Sequence, residues 1–148
     1  MRKMSITDYE QVYALWLETE GMGLSDIDES YEGIERFLLR NPNTCFVEER
    51  DGQIVGVILA GHDGRRGTLH HLAVKDEYRR KGIATALVST AIEALKEEDI
   101  PRVALFLYND NKAGKQFWLR QGFEIRDDID YMDKNLTEIR SLTEGRKN

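Results

Sequence analysis

The sequence predicts an α/β fold of the α+β kind, with a central mixed, mostly antiparallel sheet. Two observations predict it. Three apolar, strand-like segments, 44–49, 53–61 and 68–74, are separated only by Asp51-Gly52 and by the turn 62–67, the pattern of an antiparallel meander. The period then changes. Ile83, Leu87, Ala91 and Leu95 recur every four residues, as on one face of a helix. Pro101 opens a further strand over 102–107. The meander therefore runs into a strand–helix–strand unit, whose strands should lie parallel with a right-handed crossover.

The remaining elements follow from the same signals. A weak strand at 2–6 precedes a helix over 8–20, with Val12, Leu15 and Trp16 on one side, Tyr9 and Tyr13 beside them, and Asp8 as N-cap. Residues 21–30, with two glycines and several acids, read as a loop. A second helix fits 31–39 and stops at Asn41-Pro42-Asn43. The helix of the crossover unit fits 82–97 and a short one 111–121, where Gly122 is a natural C-cap. A last strand is expected over 123–133, and the end from Leu142 to Asn148 should fray. The domain is expected to cover 1–140, with 141–148 as a tail.

Composition limits the function. The 148 residues fit one domain, and 41% hydrophobic with 32% charged residues is ordinary for a globular protein. No apolar run approaches the roughly 18 residues of a membrane span, and the N-terminus lacks the apolar stretch of a signal peptide. Cys45 is the single cysteine, which excludes an internal disulfide and a cysteine-based zinc site. In its apolar strand it reads as a small hydrophobe rather than a nucleophile. A reducing, cytoplasmic setting is expected. The net charge of −6 argues against nucleic acid as partner, since phosphate binding needs a basic face, and suits a cationic substrate such as an amine.

The segment Leu72-Ala73-Val74-Lys75-Asp76-Glu77-Tyr78-Arg79-Arg80-Lys81-Gly82-Ile83-Ala84 carries the chemistry. A strand ends, a basic turn follows, and a helix starts at once. A helix start exposes unpaired N–H groups and the positive end of the macrodipole, so it suits a phosphate. Gly82 leaves room for close approach, and Arg79, Arg80 and Lys81 add charge. There is no Gly-x-Gly-x-x-Gly and no P-loop ending, so the anion is not expected to be NAD or ATP.

This segment resembles the signature of the GNAT acetyltransferase superfamily, Arg/Gln-x-x-Gly-x-Gly/Ala after a strand ending Leu-Ala-Val, with Arg79, Gly82 and Ala84 in the defined places. Asn111 to Phe123 is similar to a second family pattern, Asn-x-x-Ala-x-x-Leu-Tyr-x-x-x-Gly-Phe, with Gly114 and Phe117 at the alanine and leucine. The resemblance runs from about Met4 to Tyr131. It implies a single domain of six to seven strands and about four helices. A splayed parallel strand pair would hold acetyl-CoA: the pyrophosphate on Arg79, Arg80, Lys81, Gly82, Ile83 and Ala84, the pantetheine arm along Leu72, Ala73 and Val74, and Asn111 and Trp118 beside it. The implied activity is acetyl transfer to a primary amine of a small molecule, a peptide N-terminus or a lysine, by a monomer or homodimer acting away from membranes. A CoA-binding sensor of the same fold is the alternative.

Three family assignments lack their residue. Trp118 stands where many members have a tyrosine acid, and an indole N–H only donates a hydrogen bond. Phe106 and Thr68 stand where other members have a glutamate base. Tyr108 and Tyr131 are candidate replacement acids. His70, two residues before Leu72, is similar in spacing to a histidine of arylalkylamine acetyltransferases and is the candidate base, governing the pH dependence of turnover. His71, its neighbour in a strand, should face the other side of the sheet and serve packing.

Overall fold

The computed structural model describes residues 1–143. Five strands form one sheet in the order β1 to β5: Arg2–Lys3, Phe46–Arg50, Gln53–His62, Gly67–Val74 and Val103–Leu105. The first four run antiparallel to their neighbours and β5 is parallel to β4. The helices are α1 (Tyr9–Glu18), α2 (Tyr31–Arg40), α3 (Ile83–Glu97) and α4 (Lys112–Arg120).

Each boundary has a local cause. Ser5 caps a short 3-10 turn, Ile6–Asp8, and the Asp8 carboxylate returns to the Ser5 N–H, a capping box. Asp8 is thus not the side-chain cap of α1 that the sequence suggested; its carboxylate is taken by Ser5 and by both terminal nitrogens of Arg2 at 2.9 Å. Ser30 caps α2 through the Gly33 N–H. Gly122, at φ +93°, closes α4, and the Phe123 N–H bonds to the Trp118 carbonyl, a left-handed cap as expected.

The sheet separates two cores. On one face Val12, Leu15 and Trp16 of α1 and Ile34 and Leu38 of α2 cover Val57, Leu59 and Ala73. On the other, Ile83, Leu87, Val88, Ala91 and Leu95 of α3 cover Val55, Ile58, Leu69 and Val74. Each such fully buried side chain contributes on the order of 1.5–3 kcal/mol, so the four-residue period of α3 and the alternation of β3 fix which face each element covers.

Three expectations change. The strand expected over 123–133 does not form, so the sheet among the described residues has five strands rather than six to seven. Ile125, Ile129, Tyr131 and Met132 are exposed. The physical reason is the missing partner: β5 is three residues long, and a strand needs an edge to pair with. The expected fraying from Leu142 is also corrected. The Leu142 N–H bonds to the Leu24 carbonyl at 2.8 Å, Ser141 bridges to Ser25, and Thr143 Oγ1 accepts from the Leu24 N–H. The rest of that tail, 144–148, lies outside the described residues.

The third concerns the histidines. Between Val57–Ala73 and Leu59–His70 the β3–β4 register slips, so two β3 steps oppose three β4 steps. That is a bulge, and His71 within it has φ +53°. The extra residue cancels the alternation. His70 stacks edge-on against Phe37 of α2 at 5.6 Å, and His71 tilts against Trp16 of α1 at 5.0 Å. Both rings therefore lie on the α1–α2 face, and His71 does not point to the other side.

Candidate active site

The β4–β5 ladder joins Gly67, Thr68 and Leu69 to Val103, Ala104 and Leu105 and goes no further. From His70 onward β4 keeps its pairing to β3, through Ala73–Val57 and Val74–Gly56, while its other edge has parted from β5. The expected splay is present and begins one turn of the pleat earlier than Leu72. An extended ligand arm can pair with such an edge as a further strand would.

The strand leads straight into the anion-type turn. Arg79 folds back, its Nε donating to the Val74 carbonyl at 3.2 Å and its Nη1 pairing with Asp76 at 3.1 Å. It braces the turn. Arg80, Lys81 and Gly82 are exposed, and Arg80 (φ +63°) and Gly82 (φ +81°) are both left-handed. Among the described residues no side chain caps the start of α3, and a Cβ on Gly82 would meet none of their atoms within 4 Å. Open space thus lies beside Gly82 at the start of α3, with the exposed Arg80 and Lys81 next to it. A pyrophosphate fits this chemistry.

Asn111 opens α4, the element that follows β5. Its Oδ1 accepts from the Gly114 N–H at 2.9 Å and caps α4. A Cβ on Gly114 would lie 2.7 Å from Asn111 Nδ2, so the alanine of the family pattern would require the Asn111 amide to shift. Gly21 approaches from the other side: a Cβ there would sit 3.6 Å from the same Nδ2. The 21–30 loop therefore borders the gap that β4 and β5 leave.

That loop delivers a carboxylate to His71. Glu29 is buried, and its Oε2 accepts from both the N–H and the hydroxyl of Ser25 at 3.1 Å. Its Oε1 lies 2.9 Å from His71 Nε2, and Met22 Sδ lies 2.9 Å from His71 Nδ1. The Trp16 indole N–H donates to the His71 carbonyl at 3.1 Å. His70 has a different setting. Burial first, and the neighbouring His71 second, push its pKa down to about 4, so its ring stays neutral above pH 5. Control of turnover between pH 5 and 9 by His70 does not fit this environment.

Residues 9–123 match the Acetyltransferase (GNAT) family. The chain is 33% identical over 131 residues to Acetyltransferase SG1711 of Sodalis glossinidius, covering 88% of this chain and 91% of that one. The chain belongs to the GNAT acetyltransferase family. Its fold is shared with Ard1 from Thermoplasma volcanium, at a TM-score of 0.75 and 23% identity over 84% of this chain and 82% of the other. It is shared too with the PaiA N-acetyltransferase of Thermoplasma acidophilum solved with coenzyme A, at a TM-score of 0.70 and 21% identity over 85% and 89%.

As a GNAT chain it is an acyltransferase, and its unusual positions can be located in the fold. Trp118 is half-buried, edge-on to Phe117 and Phe123 at 5.0 and 5.1 Å, and serves the packing of α4. Phe106 is exposed and carries the ring of Tyr131 at 4.5 Å, so Tyr131 rests on the surface. Tyr108 is half-buried where β5 turns into α4, its carbonyl accepting from the Asn111 N–H. Cys45 is buried, and desolvation raises its thiol pKa to about 12, which removes it as a nucleophile. The acids of the 21–30 loop were noted in the sequence, but the bonds that tie Glu29 to Ser25 and to His71 were not foreseen. Their one sequence signal was an acidic loop rich in glycine. No helix among the described residues is long and apolar enough to cross a membrane.

Proposed function

We propose that this GNAT domain transfers an acetyl group from acetyl-CoA to the primary amine of a small molecule, a peptide N-terminus or a lysine, by direct attack. The single observation that carries the reading is continuity. β4 loses its β5 partner after Leu69, and the same strand then delivers the uncapped start of α3. A parted strand edge suits an amide-bearing arm, and the helix start suits a pyrophosphate. Ile83 and Ala84 amides, with Arg80 and Lys81, would hold the phosphates. The parted edge from His70 to Val74 would hold the arm, next to Asn111.

Acetyl-CoA supplies an acyl group that is already activated. The protein's share is then chiefly positioning, which contributes roughly 7–11 kcal/mol in well-oriented systems, so the absence of a tyrosine at 118 does not remove the activity. The acidic 21–30 loop, with Asp26 and Asp28 exposed, borders the gap and suits a cationic acceptor. The test is to incubate the protein with acetyl-CoA and a panel of small amines, peptide N-termini and lysine peptides, and to follow free thiol. Amine-dependent thiol release is expected. Coenzyme A binding without turnover on any amine would instead make this a sensor of the same fold.

A further inference from the structure

We propose that His71, oriented by Glu29, is the proton acceptor for the incoming amine. The inference rests on the amine-transfer reading above and names the side chains that serve it.

The tautomer follows from the hydrogen bonds. Glu29 Oε2 takes two donors from Ser25, as an ionised carboxylate does. Its Oε1, also acceptor-only, therefore receives the proton on His71 Nε2 at 2.9 Å. Nδ1 lies 2.9 Å from the Met22 thioether, which only accepts, so Nδ1 holds a proton in this arrangement and presents its lone pair once Met22 has moved aside and that proton has gone to solvent. A carboxylate behind one ring nitrogen fixes the imidazole and strengthens the other nitrogen as a base. Ser25 is fully buried and also accepts from the Asp28 N–H, while the Glu29 carbonyl takes the Tyr9 hydroxyl at 2.7 Å. The carboxylate is thus held from several sides.

The position fits the role. His71 is two residues past Leu69, the last β4 residue paired with β5, so it lies where the strands have parted. The bulge puts its ring on the face of the 21–30 loop, whose Gly21 reaches toward Asn111. Met22, buried in the first core, sets its Sδ against Nδ1, and its unbranched, adaptable side chain has to move aside for the amine to reach that nitrogen. A backbone φ of +53° in a histidine is a strained state that persists only where its surroundings enforce it. Here the Trp16 N–H and the Glu29 carboxylate do so. The groups facing the ring are Glu29 from the loop, His70 beside it on β4, and Trp16 from α1; Glu29 is the charged one.

The proton accounting closes. A bound ammonium gives one proton to His71 Nδ1 and becomes a neutral amine. Its nitrogen bonds to the acyl carbon as the carbon–sulfur bond breaks. The second proton passes from the new amide nitrogen to the departing thiolate, and His71 later returns its proton to solvent.

The experiment measures kcat/KM against pH, with coenzyme A affinity by calorimetry, for the wild type, His71→Asn and Glu29→Gln. Asparagine tolerates the left-handed backbone. His71→Asn should lower the rate 10- to 10³-fold and flatten the acid limb, with affinity kept. Glu29→Gln retains the imidazole but loses the carboxylate that accepts from Nε2, so kcat/KM should fall and its pH profile should differ from that of the wild type, with coenzyme A affinity kept. Wild-type rate and profile in His71→Asn would overturn the base. A flattened limb in His71→Asn with a wild-type rate and profile in Glu29→Gln would overturn the role of Glu29. A wild type that binds coenzyme A and acetylates no amine would overturn the transfer reading itself, and the base with it.

Discussion

The indole N–H of Trp16 donates to the carbonyl of His71 across 3.1 Å, tying the fully buried tryptophan of α1 to the one left-handed residue of β4. The bond satisfies a carbonyl that the bulge removes from the ladder, and it ties the first core to the point where the sheet opens. Trp16→Phe keeps an aromatic ring but loses that donor and some volume. It should cost about 1–3 kcal/mol in urea denaturation. It should also slow turnover more than it weakens coenzyme A binding. An unchanged rate in a destabilised variant would show that the bond serves stability alone.

His70 makes a pH prediction with a definite sign. Its pKa is held at about 4 against an ordinary 6.5, chiefly by burial. Between those values the unfolded chain binds a proton that the folded chain refuses. Stability is therefore fully present above pH 6.5 and falls as the pH drops toward 4, by at most roughly 3 kcal/mol. His70→Gln should remove that dependence. Urea midpoints followed from pH 7 to 4.5 should converge on the acid side as the wild type weakens, and parallel curves would contradict the assignment.

Cys45 should be chemically silent. It is 1% exposed, and its thiol, near the Ala60 carbonyl at 3.4 Å, has a pKa raised to about 12. Ellman's reagent should react with it only after unfolding. Cys45→Ala should retain the wild-type rate of acetyl transfer while losing some stability. Loss of activity without loss of structure would restore a covalent route.

How much of this was legible in the sequence differs by element. The β4–α3 unit was, because two strong periods meet at a glycine-containing basic turn. The three meander strands were legible from Asp51-Gly52 and the 62–67 turn. The strand over 123–133 was misjudged, because Ile125, Ile129 and Tyr131 alternate like a strand but meet no edge to pair with. The bulge at His71 was invisible: two adjacent histidines in an apolar run read as ordinary alternation, and only the register against β3 reveals the extra residue. The Glu29–His71 pair spans 42 positions, and no local pattern joins a loop carboxylate to a strand so far away. Arg79 was legible as part of a motif, but its bracing of the Val74 carbonyl was not.

The central claim is that the parted edge of β4 and the start of α3 form one coenzyme A site. Calorimetric titration of coenzyme A into the wild type and into Gly82→Asp tests it most directly. Gly82 has φ +81° and open space before it, so aspartate adds backbone strain and a negative charge where the pyrophosphate should sit. The account predicts that coenzyme A binds the wild type and binds Gly82→Asp at least tenfold more weakly, about 1.4 kcal/mol or more, with the variant still folded. Equal affinity in the two proteins, or no binding to the wild type, would contradict it.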